Sequence, residues 1–246
     1  EKLMDIIEGI TGARLTISYP RVGGVRMDLP EGALEVIKAF IKRFPKELKE
    51  WETILSRNRI WLRRNIGVGV ISKEDVYFYG LTGPVARGSG VPYDLRKFEP
   101  YDAYGWVEFD IPVGENGDVY DRYLVRLEEM RQSLRIIEQC VNVLERMPKS
   151  APFFAESPDP KKIKLSLDGI GLKVPEGEIY SSGENPRGEL GFYIYSTGGI
   201  KPYRVKIRPG SMYNLCIYPK LMKDRVIADA VAILASLDPV VGEIDR

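Results

Sequence analysis

The sequence contains no histidine and only two cysteines, Cys140 and Cys216. These two cysteines are too far apart in sequence to form a C-x-x-C pair. Because histidine is also absent, the usual zinc sites and the Ser-His or Cys-His arrangements for nucleophilic catalysis are excluded. No apolar run reaches the roughly 18 residues that cross a bilayer, and no signal-peptide pattern is present. We therefore expect a soluble, intracellular chain that holds no metal of its own.

The net charge is also close to zero, because 36 lysines and arginines stand against 35 acidic residues. This balance gives no reason to expect binding to nucleic acid or to an anionic membrane surface. Only two glutamines are present, Gln132 and Gln139, beside abundant charge. That composition favours a heat-loving source.

The pattern of apolar residues predicts an α+β fold in three parts: a helical bundle over 1–150, a small β-rich part over 151–217, and a buried helix with a tail over 218–246. The firmest element is a helix over 118–147, whose apolar residues follow a heptad-like repeat. The chain opens within a helical pattern, so we expect an N-terminal part of the same subunit, missing or supplied as a separate chain.

Shorter elements can also be predicted. The pattern indicates separate helices over 31–44 and 46–56 and alternating strands over 14–18 and 107–111. Glycine-bounded strands are expected within 179–207. The glycine-rich loop 81–90 is either a plain connector or a backbone scaffold against a cofactor, and composition leaves both open.

The last nine residues, 238–246, follow the apolar helical run 226–237. This order places Asp238, Glu243 and Arg246 where water is scarce, and buried charges must be paired or line a polar cavity. A frayed, solvated tail is the alternative. Pro239 and Gly242 favour a defined turn.

Several motifs, in order along the chain, carry a family resemblance. They are Arg21-Val22-Gly23-Gly24-Val25, Asn58-Arg59-Ile60-Trp61, Arg87-Gly88-Ser89-Gly90 with Asp94-Leu95-Arg96-Lys97, Asp121-Arg122-Tyr123-Leu124 with Glu128-Glu129-Met130-Arg131-Gln132-Ser133, and the closing Asp238-Pro239 to Asp245-Arg246. Together they resemble the D subunit of respiratory complex I, which is related to the large subunit of membrane-bound nickel–iron hydrogenases. The resemblance covers essentially the whole chain and corresponds to the C-terminal two thirds of the family.

The resemblance implies a nickel–iron hydrogenase large-subunit-like fold whose metal cavity has become a quinone headgroup site. The hydrogenase closing motif resembles Asp-Pro-Cys-x-x-Cys, and here Val240 and Glu243 stand at the two cysteine positions, so nickel–iron chemistry is not expected. Asp238, Val240, Glu243 and Arg246 would line the cavity, with Arg246 anchoring the tail by an ion pair. Glu243, Asp238 and Arg187 would be its catalytic residues.

Three further residues, Arg26, Arg87 and Gly88, would lie close to an iron–sulfur cluster, with Arg87 and its glycines packed against the partner that holds it. No cofactor would be bound by this chain itself. Many family members carry histidine at the position of Arg26, and because arginine does not titrate in the working range, a pH-dependent cluster potential is in doubt. The partners would be the N-terminal part of the subunit, the iron–sulfur cluster subunit, and other peripheral-arm and membrane subunits, on the cytoplasmic side of the cell membrane.

The resemblance leaves three functions open. The first is a quinone-reducing, ion-pumping complex. The second is a ferredoxin-dependent complex that reduces sulfane or polysulfide on the same scaffold, which the short 163–175 segment and the residues 83–87 favour, because they resemble the archaeal branch. The third is a structural half-subunit that takes no part in catalysis.

Overall fold

The computed structural model describes residues 1–21, 24–148, 151–153 and 175–245. Within these ranges the chain is mostly helical, with two small antiparallel sheets, so the predicted α+β class is confirmed. The helices are α1 (Lys2–Thr11), α2 (Ala33–Leu55), α3 (Arg59–Asn65), α4 (Lys73–Tyr79), α5 (Pro84–Gly88), α6 (Leu95–Phe98), α7 (Val119–Arg146), α8 (Gly210–Cys216), α9 (Tyr218–Met222), α10 (Ile227–Leu237) and α11 (Val241–Ile244).

The strands form a short hairpin and a three-stranded sheet with the order β3-β4-β5. They are β1 (Pro20–Arg21), β2 (Gly24–Val25), β3 (Gly177–Asn185), β4 (Gly188–Ser196) and β5 (Arg204–Arg208). The glycine-bounded strands predicted within 179–207 are therefore confirmed, whereas residues 14–18 are not a strand. The β3–β4 register pairs Asn185 with Gly188, so a two-residue turn holds Arg187 at the end of the sheet.

The long helix α7 closely matches its prediction. Its N-cap is Asp118, whose carboxylate accepts a hydrogen bond from the backbone N–H of Asp121 at 2.8 Å. The predicted apolar seam is only partly correct, because Leu127 is buried but Leu144 is 41% exposed. The hydrophobic core lies at the other end of the helix, around Val119.

Helix α2 corrects the prediction of two helices over 31–44 and 46–56. It is one continuous helix with Pro45 inside it. A proline in a helix interior removes a backbone hydrogen bond, but here the rings of Phe44 and Trp51 pack edge to face across the proline, with centroids 5.8 Å apart. Packing of this kind and contacts with α7 offset the cost of the proline.

Residues 107–111 also differ from the prediction, because they belong to neither sheet. Val107 and Phe109 are buried, as the alternation requires. The backbone N–H groups of the residues that follow them bond to the side-chain amides of Gln139 and Gln132 on α7, at 2.8 and 3.0 Å. The alternation therefore predicted burial correctly. The hydrogen-bond partners, however, are glutamine side chains of α7 where a strand would have paired with the backbone of a neighbouring strand.

The hydrophobic core lies where the start of α7 meets α4, α5 and α8 to α10. Helix α10 buries one face there through Ile233 and Leu237, whereas Ile227 is 89% exposed and Val231 is 74% exposed. The sequence predicts a buried helix here, and within the described residues its neighbours bury one side of it. In the part of the chain that is described, no helix has the length and apolar character needed to span a membrane.

Candidate functional site

The turn after β3 and the end of α10 meet through Arg187 and Asp238. The Arg187 Nε donates to the Asp238 backbone oxygen at 3.0 Å, and a terminal nitrogen of its guanidinium lies 3.3 Å from the Asp238 carboxylate. The Asn185 side-chain oxygen accepts from the Arg187 backbone N–H at 3.2 Å and fixes the turn. Two elements 51 residues apart in sequence are thereby joined at a half-exposed ion pair.

The closing segment changes direction sharply at Asp238. This residue caps α10 in the left-handed conformation, with φ 52° and ψ 53°. Aspartate visits that region more readily than most residues because its short polar side chain can bond locally. The defined turn expected at the start of the closing segment is therefore present.

Glu243 lies on α11 and is held by the start of α8. One of its oxygens accepts from the backbone N–H of Ser211 at 3.2 Å and, in a short contact, from the Ser211 hydroxyl; the other accepts from the Asn185 side chain at 3.2 Å. The same hydroxyl accepts from the backbone N–H of Val240 at 3.2 Å. The expected ion pair of Glu243 with Arg246 involves a residue outside the described ranges.

Arg87 lies in the interior of the chain. Its side chain is only 2% exposed and is enclosed by this chain's own carboxylates: Glu129 at 2.7 Å, Glu184 at 2.9 Å and Asp94 at 3.4 Å. Gly88 is likewise packed inside, since a Cβ at this position would lie 2.7 Å from Arg122. Both residues therefore lie in the interior of the chain, and their expected closeness to a partner's iron–sulfur cluster stays a prediction.

The charges around Arg87 extend into a larger network. Asp94 is also bound by Arg96, at 2.6 and 2.9 Å. Burial raises the pKa of Glu129, and the positive charge of Arg87 opposes that rise. Burial likewise raises the pKa of Glu184. These carboxyl groups therefore hold protons more readily than exposed glutamates do.

The loop 81–90 is a scaffold for the turn that carries Arg187. Buried Asn214 joins them, donating to the backbone oxygen of Arg187 at 2.9 Å and accepting from the backbone N–H of Thr82 at 3.2 Å. Gly83 and Gly188 allow the two backbones to approach, because a Cβ on Gly83 would lie 2.5 Å from the Gly188 nitrogen. The loop is therefore more than a plain connector, because it supports the turn that carries Arg187.

A pocket of about 470 Å³ opens between these elements. Its charged lining consists of Arg87, Arg96, Arg126, Glu129, Glu184 and Asp238. Of the residues predicted for the cavity, Asp238 lines this pocket, and Arg187 and Glu243 contact residues that line it.

Neither Val240 nor Arg26 lines the pocket. The backbone N–H of Val240 donates to the Ser211 hydroxyl at 3.2 Å. Arg26 is exposed directly after the short hairpin, where its backbone N–H donates to Tyr19, and it does not line the pocket.

Sequence reasoning missed several residues of the site: Glu129, Glu184, Asn185, Ser211, Asn214 and Arg126. Glu129 lies in the second motif of α7 and Arg126 lies between its two motifs, but the heptad pattern treated that helix as core only. Asn185 lies two residues before Arg187 at the same turn, and this position in the sequence could have indicated that it belongs to the site. Ser211 and Asn214 become recognisable only once α8 is placed beside α11.

The residues of the site do not fit a nickel–iron centre. Val240 and Glu243 offer no thiolate, and soft thiolate donors are what such a centre requires. Cys140 lies on α7 and Cys216 on α8, and neither lines the pocket. Over the residues described, no group of three or more His, Cys, Asp or Glu side chains could hold a metal ion.

Fold and site together define an α+β subunit in which the closing segment borders a charged pocket. Residues 1–246 match the family described as the 49 Kd subunit of respiratory-chain NADH dehydrogenase. The match covers the whole chain, so the chain belongs to this family. The resemblance to the D subunit of complex I is thereby confirmed.

Individual relatives agree with the family. The chain is 79% identical over its full length to the C/D subunit of NADH-quinone oxidoreductase from Hydrogenobaculum sp. strain Y04AAS1, and it covers 43% of that protein. It is 80% identical to one of two such C/D subunits from Aquifex aeolicus strain VF5, of which it covers 41%. It is also 46% identical to the D subunit of the same enzyme from Magnetococcus marinus, covering 64% of that protein. The chain therefore matches the D part of the fused C/D proteins and spans about two fifths of their length.

These relatives also bear on the open alternatives. Their names identify them as NADH-quinone oxidoreductases, so the ferredoxin-dependent alternative finds no support among them. The shortened 163–175 segment that favoured the archaeal branch lies, apart from Pro175, outside the described ranges. The heat-loving source expected from the composition is in keeping with the relatives from Hydrogenobaculum and Aquifex.

Proposed function

We propose that this chain forms part of the quinone-reducing cavity of a membrane-associated NADH-quinone oxidoreductase. In this proposal the pocket between β3, α7 and the end of α10 adjoins an iron–sulfur cluster held by a partner subunit. That cluster would supply the electrons, and the complex would couple their transfer to ion translocation. The chain would lie in the peripheral arm on the cytoplasmic side of the membrane.

One observation carries the proposal most directly. The two segments that the resemblance marks as cavity walls, the turn of Arg187 and the closing segment from Asp238, are in contact with each other and with the charged pocket. A quinone carbonyl needs hydrogen-bond donors, and a pocket with a few convergent polar groups is the usual form of a small-molecule site. In this proposal Asp238 borders the ligand, and Arg187 holds Asp238 in position.

Each proposed residue has a distinct task. Glu243 holds the tail in place through Ser211 and Asn185, and its carboxylate keeps negative charge beside the turn. Val240 adds an apolar surface at the former metal position. Arg246, as the final residue, would complete the tail. The names of the relatives favour quinone as the acceptor and NADH as the distant donor.

The variant Glu243→Gln in the assembled complex tests this proposal. It keeps the shape of the side chain and removes the charge that Ser211 and Asn185 bind. We expect quinone reduction to fall by about tenfold or more, since charged hydrogen bonds are among the stronger ones. Reduction of the partner's iron–sulfur cluster should stay normal, and both rates are measured side by side.

The matched control is Asp245→Asn, which removes a charge from the exposed end of the same tail. It should leave quinone reduction unchanged. If Glu243→Gln reduces quinone at the wild-type rate, the tail is structural, and the alternative of a non-catalytic half-subunit gains over the proposal.

A further inference from the structure

Arg126 is a pocket residue whose charge no neighbouring carboxylate balances by contact. It lies on α7 and is mostly buried, and burial lowers its pKa. Its guanidinium donates to two backbone oxygens, that of Ser236 at 2.7 Å and that of Arg122 at 3.3 Å. Arg87, Arg96 and Arg187 each form an ion pair, but no carboxylate within the described residues forms one with Arg126.

The position of Arg126 makes its guanidinium accessible to a ligand. It lines the charged pocket together with Glu184 and Asp238. It also lines a second pocket of about 450 Å³ on its other side, beside Trp61 and Val231. A guanidinium carries five N–H donors, and the backbone oxygens occupy only part of this set. The arrangement leaves donors for an oxygen atom that enters the charged pocket.

The charge balance of the pocket indicates what kind of oxygen fits. Three arginines and three carboxylates line it: Arg87, Arg96 and Arg126 against Glu129, Glu184 and Asp238. Such a neutral lining gives little net attraction for a permanently charged anion. A neutral carbonyl oxygen that gains negative charge only on reduction fits better, because the guanidinium then stabilises charge where it develops.

We propose that Arg126 contacts the quinone directly and donates hydrogen bonds to one of its carbonyl oxygens. The inference rests on the proposed function and adds a substrate-binding residue to it. One-electron reduction by the cluster that the proposed function assigns to a partner subunit would give a semiquinone anion with its charge on the oxygens, and the positive charge of Arg126 would stabilise that anion. No proton moves in this step.

The test uses the full complex with decylubiquinone as the acceptor. Arg126→Gln removes the charge, and we expect the KM for decylubiquinone to rise about tenfold to a hundredfold, the range for one charged hydrogen bond. Arg126→Lys keeps the charge but loses the planar guanidinium, so its KM should lie between those of the wild type and Arg126→Gln. Reduction of the iron–sulfur cluster by NADH should be unchanged in both variants.

Arg131 on the same helix provides the matched control. It is exposed, pairs with Glu128 at 3.0 Å and lies outside the charged pocket. Arg131→Gln should therefore leave the KM unchanged. An equal rise in both glutamine variants would mean a general effect of charge on α7 and would overturn the proposal.

A spectroscopic readout separates binding from a structural role. In complex labelled with ¹⁵N-arginine, the semiquinone should show a nitrogen hyperfine coupling, and Arg126→Lys should abolish it. Absence of any arginine coupling in the wild-type complex overturns the inference, whether or not the variants assemble. If Glu243→Gln impairs quinone reduction but the Arg126 variants leave the KM and the coupling unchanged, only this inference fails. If the variants at both residues have no effect, the proposed function fails as well.

Discussion

Two charged clusters border the same pocket and are built in opposite ways. The Arg87 cluster (Arg87, Asp94, Arg96, Glu129, Glu184) is nearly closed to solvent, with Arg87 2% exposed and Glu184 4% exposed. The closing-segment cluster (Arg187, Asp238, Glu243, Asn185, Ser211) is more open, with Arg187 28% exposed and Asp238 43% exposed. The first contains several ion pairs, with distances from 2.6 to 3.4 Å, and the second has one of 3.3 Å.

This difference shows how the wall of a site can be divided between support and function. Buried charges must keep all their partners, because each one left unpaired is costly. Half-exposed charges are screened by water and can exchange their partners at little cost. The Arg87 cluster therefore fixes the position of the pocket, and the closing-segment cluster is free to respond to a ligand.

The largest difference in stability between the two clusters is expected when the central arginine of each is replaced in turn. Arg87→Met leaves Glu129 and Glu184 buried without their common partner, which destabilises the fold locally by about 3–5 kcal/mol. Arg187→Met removes a half-exposed partner and should cost about 1 kcal/mol or less. Hydrogen–deuterium exchange of the assembled complex, at the amides of α5 and α6, measures both.

Arg135→Met is the control for losing a cation in general. Its side chain is 45% exposed and pairs with Asp110 at the surface, at 2.9 Å. The exchange of α5 and α6 should not change in this variant. Equal protection in the Arg87 and Arg187 variants would contradict the division between a supporting and a responsive cluster.

The contact between the two clusters can be broken at Gly83. Its backbone has φ 70°, and a Cβ there would lie 2.5 Å from the Gly188 nitrogen and 2.7 Å from the Arg187 carbonyl carbon. Gly83→Ala must therefore push the loop 81–90 away from the turn. Overpacking of this kind costs about 1–3 kcal/mol, and quinone turnover should fall because Arg187 moves relative to the Arg87 cluster.

Gly67 offers a closely matched comparison for that variant. It has the same φ of 70°, but nothing lies within 4 Å of a Cβ placed on it. Gly67→Ala thus adds a strained side chain without the collision, and it should leave turnover close to that of the wild type. If the two alanine variants behave alike, backbone strain explains the effect and the contact between the clusters does not.

The sequence predicted well the elements whose cause is local. The repeat of apolar residues along α7 and the glycines bounding β3 to β5 depend on neighbours in sequence, and these elements were placed almost correctly. Pro45 misled the prediction because the packing that keeps α2 continuous is not local. Residues 107–111 misled it because the partners of their backbone groups, Gln132 and Gln139, lie more than 20 residues away.

The candidate site was predictable only in outline. The family motifs named Arg187 and Asp238, and the structure brings them into contact. They also named Arg87, but its enclosure by Glu129 and Glu184 depends on α7 and β3 lying on either side of α5, which no local pattern indicates. Arg126 was missed for the same reason.

The smallest expected effect is a pH dependence of stability that arises from Glu129 in the Arg87 cluster. Burial raises the pKa of this carboxyl group above its ordinary value of about 4.3, so the folded state binds its proton more tightly than the unfolded state does. The stability that Glu129 contributes is therefore fully present below about pH 4.3 and is lost as the pH rises through the raised pKa. Glu129→Gln has no proton to lose.

We therefore expect the difference in thermal stability between the wild-type complex and Glu129→Gln to be largest near about pH 4 and to shrink as the pH rises. The reason is that only the wild type gains a negative charge at residue 129 as the pH rises. The neighbouring Glu128→Gln, on the half-exposed side of α7 that faces Arg131, is the control for losing a carboxylate on this helix. Unfolding midpoints of the assembled complex at several pH values test this. A difference that widens with pH would mean that attraction to Arg87 outweighs burial at Glu129, and that the Arg87 cluster, like the closing-segment cluster, is stabilised by its ionised carboxylates.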